Sequence, residues 1–153
     1  MLWSARVEEQ PNDVNAHNNL GVLLTQKHQP RAAIAEWRRA LELSPSDGNA
    51  QSNLAWALAT APEHAVRDGR HAVELAESVM KLGGGANPIL HRTLAAAYAE
   101  AGRFDDAIAT AERGRVLAER EHNRSLATEL AANLERYKNH LPLRDPNLQP
   151  RSD

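Results

Sequence analysis

The sequence lacks cysteine, has few aromatic residues and carries almost no net charge. Without cysteine, its 153 residues can form neither a disulfide framework nor a thiolate metal site. A net charge of −2 gives no electrostatic reason to expect nucleic acid or an anionic membrane as a partner. No apolar run approaches the roughly 20 residues that a membrane-spanning helix needs. We therefore expect a soluble chain with no membrane insertion.

The motifs that accompany common enzyme chemistry are also absent. The sequence contains no G-x-S-x-G, H-E-x-x-H or G-x-x-x-x-G-K-[ST] pattern. The glycines at 83–85 follow no predicted strand, so they indicate a loop. His71 and Glu74 share a helix face, but no second pair completes a metal site. His17 and His91 fall at positions that pack between helices, which predicts half-buried core residues. We expect no catalytic residue, no metal, no cofactor and no enzyme activity.

Three segments of the chain share a skeleton of small and large apolar residues. Gly21, Ala55 and Ala95 each follow a leucine and stand three positions before a large apolar residue. Pro11 and Pro45 lie 34 residues apart. A repeat near this length, with small residues where helices cross, is typical of stacked helix pairs. Abundant alanine and an aromatic content of only 4% suit helices that pack through small side chains.

The skeleton resembles the tetratricopeptide repeat, whose pattern is W-x2-L-G-x2-Y, then A-x3-F, then A and P. The matching residues of repeat 1 are Leu20, Gly21, Leu24, Ala33, Trp37, Ala40 and Pro45. Those of repeat 3 are Leu94, Ala95, Tyr98, Gly102, Phe104, Ala107 and Ala111. Repeat 2 starts in the same way, but its second half arrives five residues late. The resemblance implies an all-α fold, a right-handed superhelical solenoid of antiparallel helix pairs with three repeats.

The helix signals and the resemblance together divide the chain into six segments. In chain order these are a partial preceding repeat or N-terminal cap helix (1–13), repeat 1 (14–47), repeat 2 with a five-residue insertion (48–87), repeat 3 (88–121), a C-terminal capping helix (122–140) and a tail (141–153). The capping helix is predicted from an apolar stripe formed by Leu126, Leu130, Leu134 and Tyr137. Three prolines interrupt the last segment, which predicts an extended or disordered tail.

In the tetratricopeptide family, the first helix of each repeat lines a concave groove that binds peptides. The resemblance implies that the peptide-binding residues here are Asn15, Asn18, Asn19, Val22, Gln26, Asn49, Ser52, Asn53, Trp56, Thr60, Arg92, Thr93 and Glu100. The remaining groove positions hold Thr25, Ala59, Ile89, Ala96 and Ala99. Most of the polar members are amides or hydroxyls, which can pair with the backbone of any extended peptide. Asn19 and Asn53 would stack one repeat apart. Alternatively, these asparagines are solvated or hold neighbouring helices together.

The two tryptophans within the repeats carry different predictions. Trp37 falls at a core position between helices, which predicts a structural role. Trp56 either stands in the groove as a binding hot spot or covers the inserted loop at 62–68 as a core residue. That loop in turn either carries function or is a longer turn whose Asp68 caps the next helix.

The sequence therefore predicts a protein–protein interaction scaffold that binds a peptide or protein segment in its concave groove. Two alternatives stay open. The repeats are a regulatory or substrate-docking segment of a larger enzyme or membrane protein, or they self-associate through an apolar N-terminal edge around Trp3. The expected partner is a protein or peptide and not a nucleic acid, with a homo-oligomer as a further option. The sequence does not determine the compartment, although a cytoplasmic location is favoured over secretion.

Overall fold

The computed structural model describes residues 2–152, a range that contains eight α-helices and no strand. The helices are α1 (Leu2–Glu9), α2 (Val14–Gln26), α3 (Pro30–Leu43), α4 (Gly48–Thr60), α5 (Gly69–Lys81), α6 (Pro88–Glu100), α7 (Phe104–Arg120) and α8 (Arg124–Lys138). Short 3-10 turns occupy His64–Val66, Gly84–Ala86 and Pro146–Leu148. The all-α prediction is confirmed. Met1, the first residue of the predicted segment 1–13, and Asp153, the last residue of the predicted tail, lie outside the described residues.

The helices begin where the sequence supplies capping residues. The side chains of Asp13, Asp47 and Asp68 each accept a hydrogen bond from a backbone N–H three residues later, at 3.1, 2.8 and 3.0 Å. Such a bond satisfies one of the backbone donors that a helix leaves free at its start. Pro30 and Pro88 occupy the first turns of α3 and α6, where the missing N–H of proline has no cost. Local sequence thus determines the start of most helices.

The helices pack mainly against their neighbours in the chain. The extensive contacts join α2 to α3, α4 to α5, α6 to α7 and α7 to α8, while α4 also packs on α6. Two apolar clusters result, one around Leu54 and Leu58 and the other around Leu130 and Tyr137. Packing in adjacent pairs is compatible with a helical repeat. Because α8 packs on α7, its apolar stripe covers the end of the helix row.

Close approach between helices depends on small residues at specific places. A Cβ added at Gly21 would lie 2.3 Å from Nε1 of Trp37, far inside any allowed contact. Trp37 is only 4% exposed, as expected of a core residue. Ala55 of α4 and Ala95 of α6, which the sequence pattern aligns with Gly21, are fully buried. Because Gly21 has no side chain, the Trp37 indole can occupy the space in which a Cβ would otherwise lie.

The insertion in repeat 2 contacts the helices on both sides of it. The loop contains the 3-10 turn His64–Val66 and leads into α5 through the Asp68 cap. Arg67 donates to Oε1 of Glu100 at the end of α6, at 2.9 Å, and both side chains are largely buried. Glu63 forms an ion pair with Arg31 of α3. The loop is therefore a capped turn that also links α3 to α6.

Three helices end on a histidine with a left-handed backbone. His28, His122 and His140 follow α2, α7 and α8 with φ values of 57°, 58° and 54°. Glycine is the usual residue at this position because it has no Cβ penalty there, and Gly102 after α6 follows that rule with φ of 77°. The His140 ring compensates by stacking on Phe104, with ring centroids 4.9 Å apart.

Candidate functional site

A cavity of about 350 Å³ opens on the side of the molecule formed by α2, α4 and α6. Seven of the thirteen candidate binding residues line it, namely Val22, Gln26, Ser52, Asn53, Trp56, Arg92 and Thr93. Thr25 and Ile89, which hold two of the remaining groove positions, line it as well. We call these nine residues the first-helix face. The structure thus brings together residues that are far apart in the sequence and share only their place in the repeat.

The first-helix face runs obliquely across the helices. In α2 it uses the last two turns, ending at Gln26. In α4 it uses the middle, up to Trp56, and in α6 it uses the first turns, beginning at Ile89. The face therefore moves about one turn toward the helix start with each repeat. An extended chain bound along it would cross all three helices rather than follow one of them.

The other candidate residues lie outside the cavity lining. Asn18 departs from the expectation that it faces the groove, because it is 5% exposed and its Nδ2 donates to Oδ1 of Asp47 at 2.8 Å. It thus holds the start of α4 against α2 rather than facing a ligand. Asn15, Asn19 and Asn49 are exposed but do not line the cavity. Of the pair Asn19 and Asn53, which were expected to stack, only Asn53 lines it.

Trp56 stands at the centre of the first-helix face. Its Nε1–H donates to Oδ2 of Asp145 at 2.8 Å, and the Arg92 guanidinium lies 4.4 Å from the centroid of its ring. Arg92 also pairs with Glu129 of α8 at 3.2 Å. A guanidinium over an indole is a favourable cation–π arrangement, which orients both side chains. Trp56 therefore lines the cavity, and its indole N–H contacts the tail.

The tail, residues 141–152, folds back across the same helices. The backbone N–H of Asp145 donates to the Thr60 carbonyl oxygen at 2.8 Å. The preceding Arg144 donates to Oε2 of Glu100 at 2.7 Å, so this carboxylate accepts from Arg144 and Arg67 together. Thr60 and Glu100, which do not line the cavity, thus contact the tail at the ends of α4 and α6. The tail bounds the cavity along that edge.

The second half of the tail contacts the end of α2. Leu148 is 1% exposed and belongs to the apolar cluster around Leu54 and Leu58. Beyond it, Nδ1 of His28 donates to the Gln149 carbonyl oxygen at 3.2 Å, and the Arg151 backbone N–H donates to the His28 carbonyl oxygen at 3.3 Å. The tail therefore passes α6, then α4, then the end of α2. Sequence reasoning missed these contacts because a proline-interrupted segment has no periodicity that indicates what it packs against.

One tyrosine beside this region has a strongly shifted pKa. Burial, followed by the hydrogen bond to Glu77 at 2.8 Å, raises the pKa of Tyr98 to about 12. Its hydroxyl is therefore a neutral donor at physiological pH. The contact fixes α6 against α5.

Within residues 2–152, no three His, Cys, Asp or Glu side chains are arranged so that they could hold a metal ion. None of the helices described is both long enough and apolar enough to cross a lipid bilayer. A scan of the sequence against protein-family models finds no match, and a search of curated proteins finds no significant match.

Proposed function

We propose that this chain is a tetratricopeptide-like superhelical solenoid whose first-helix face is a concave groove that binds an extended segment of a protein partner. One observation carries the proposal, namely that an extended segment, the tail, lies across this side with both backbone and side-chain contacts. The repeat skeleton and the packing of helices in adjacent pairs support the fold part of the proposal.

The chemistry of the first-helix face suits an extended peptide. The tail pairs its own backbone with the Thr60 carbonyl, so at least one contact does not depend on sequence. The amide of Asn53 and the hydroxyl of Ser52 add groups that both donate and accept hydrogen bonds. Trp56 adds a large aromatic surface of the kind that dominates binding energy at interfaces. The cavity of about 350 Å³ leaves room for side chains of a partner.

The proposal is tested with a partner identified by affinity purification and mass spectrometry, whose affinity is then measured by calorimetry. Combining Asn53→Ala with Ser52→Ala removes an amide and a hydroxyl from the face and leaves the contact of Trp56 with the tail in place, and we expect at least about tenfold weaker binding. Lys81→Ala is the matched control, because Lys81 is exposed at the end of α5 and does not line the cavity. Equal affinities for the double variant and the control would exclude the first-helix face as the site.

Self-association is a second candidate, favoured by the surface of α1. None of the residues of α1 is buried, and Leu2 is 76% exposed. Exposed apolar side chains at the end of a helix row can pair with a second copy. We expect a mass that rises with concentration in light scattering, and a lower mass for Leu2→Ser combined with Trp3→Ser. A constant monomeric mass for the unsubstituted chain would remove this candidate.

A further inference from the structure

The contacts of Asp145 use three different atoms of one residue. Its backbone N–H donates to the Thr60 carbonyl oxygen, its Oδ2 accepts from Trp56 Nε1–H at 2.8 Å, and its Oδ1 accepts from Asn147 N–H at 2.9 Å. Each carboxylate oxygen thus has its own donor. Asparagine has a single side-chain oxygen, so one of these two donors would face its NH2 group. The arrangement therefore distinguishes aspartate from its nearest isostere.

The second anchor of the tail is Leu148, three residues after the aspartate. Leu148 is fully buried, whereas Asn147 and Gln149 on either side of it are exposed. The 3-10 turn Pro146–Leu148, capped by Asp145, sets the distance between the two anchors. Proline at the start of this turn restricts φ and so favours the bound shape before binding. Asp145 and Leu148 are thus the two anchors, and the proline between them sets the turn that spaces them.

The tail leaves part of the first-helix face uncovered. The cavity beside Asp145 and Leu148 remains open, and it is lined by the residues that the repeat places toward a ligand. Outside these two anchors, Arg144 donates to Oε2 of Glu100 at 2.7 Å, and the tail contacts near His28 are hydrogen bonds at an exposed edge. A tethered segment held by two anchors competes with a free ligand at an effective concentration on the order of millimolar.

We infer that the first-helix face selects an extended protein segment carrying an aspartate and, three residues later, a leucine, and that residues 141–152 are an intramolecular competitor for that segment. The inference rests on the proposed function and adds to it the chemistry of the partner and a reason for regulated access. A partner must present the same two anchors, or more contacts in the open cavity, to displace the tail.

The test uses the full chain and a fluorescent synthetic peptide with the sequence of residues 141–152. In the chain variant Asp145→Asn the tail loses one of its two carboxylate contacts and is held less tightly by the helices. We expect this variant to bind the peptide at least about tenfold more tightly than the unsubstituted chain, measured by fluorescence anisotropy. Asp105→Asn is the matched control, since it makes the same change of charge at an exposed position of α7. It should bind the peptide as weakly as the unsubstituted chain.

A second peptide, in which asparagine replaces the aspartate, tests the recognition itself. We expect it to bind the Asp145→Asn chain at least about tenfold more weakly than the first peptide does. Equal binding of the two peptides would overturn the preference for aspartate. Equal binding of the first peptide by the Asp145→Asn chain and the control would overturn the competition. If neither peptide binds any chain, the whole inference is wrong.

Trp56→Phe provides a second variant in case Asp145→Asn loses helix content by circular dichroism. It removes the N–H that contacts the aspartate and keeps an aromatic ring, so the two peptides should bind it with equal affinity. A persisting preference for the aspartate peptide would overturn the role of Trp56. Failure of this inference can be distinguished from failure of the proposed function. If the tail peptide does not bind but a partner loses affinity with Asn53→Ala, the groove is supported and only the inference about the tail is wrong.

Discussion

Replacing Gly21 by alanine tests how tightly α2 and α3 pack. The added Cβ would lie 2.3, 2.6 and 2.8 Å from Nε1, Cε2 and Cδ1 of Trp37, all well inside a normal carbon contact. The indole is rigid and almost fully buried, so the helices must move apart by close to 1 Å to make room. Overpacking of this kind costs about 1–3 kcal/mol.

A gain in helix propensity opposes this cost. Alanine within a helix is more favourable than glycine by about 1 kcal/mol, because it loses less backbone entropy on folding. We therefore expect Gly21→Ala to lower the free energy of unfolding by up to about 2 kcal/mol, and by about 1–3 kcal/mol relative to a glycine-to-alanine change without the clash. The measurement is urea unfolding followed by circular dichroism, in which the midpoint falls and the slope stays constant. Gly48→Ala is the control, since its nearest neighbour, Val79 Cγ1, lies 4.0 Å away and leaves room for a methyl group.

A double-mutant cycle identifies the cause of the loss. Trp37→Phe removes Nε1, the atom closest to the added methyl group, so Gly21→Ala should cost less in that background. We expect a coupling free energy of at least about 1 kcal/mol between the two substitutions. Strict additivity, or a Gly21→Ala chain as stable as the Gly48→Ala chain, would refute the packing argument.

Three further changes have expected outcomes. His122→Gly should raise the free energy of unfolding by about 0.5–1 kcal/mol in urea titrations, because glycine removes the Cβ penalty of a left-handed helix end. Tyr137→Phe should leave stability unchanged or raise it by about 1 kcal/mol, since the buried hydroxyl has no hydrogen-bond partner within residues 2–152. Stability should fall as pH rises from about 10 to about 12, because the folded state raises the pKa of Tyr98 above its usual 10.0 and thus keeps a proton that the unfolded chain releases. Tyr98→Phe should flatten that part of the pH profile of urea midpoints, and an unchanged slope would show that other groups cause it.

Much of the helical framework is predictable from local sequence. The predicted repeat 1 begins at residue 14, and α2 (Val14–Gln26) begins at the same residue. Pro30, Pro88 and the Asp68 cap each lie where the helix-start rules place them. These predictions succeed because helix starts depend on a few neighbouring residues and on apolar periodicity, both of which a single sequence contains.

The candidate site is only partly predictable for a physical reason. Repeat position predicts which side chains point away from the core, and two residues chosen in this way, Asn53 and Trp56, line the cavity. It also placed Asn18 there, because position alone does not reveal that Asp47 offers a buried acceptor. The position of the tail depends on single contacts such as that of Asp145 with Trp56, which join residues 89 apart in the sequence. No local pattern contains such information.

The tail also changes how the row of helices should come apart. In a plain stack, each repeat touches only the next one, so the end units fray independently and stability is nearly a sum of local terms. Here the hydrogen bond between His28 and Gln149 spans 121 positions of the chain and fastens the beginning of the row near its end. The tail contacts should therefore couple fraying at the two ends of the row more strongly than in an untied stack, and they should form late in refolding, because a long loop must close first.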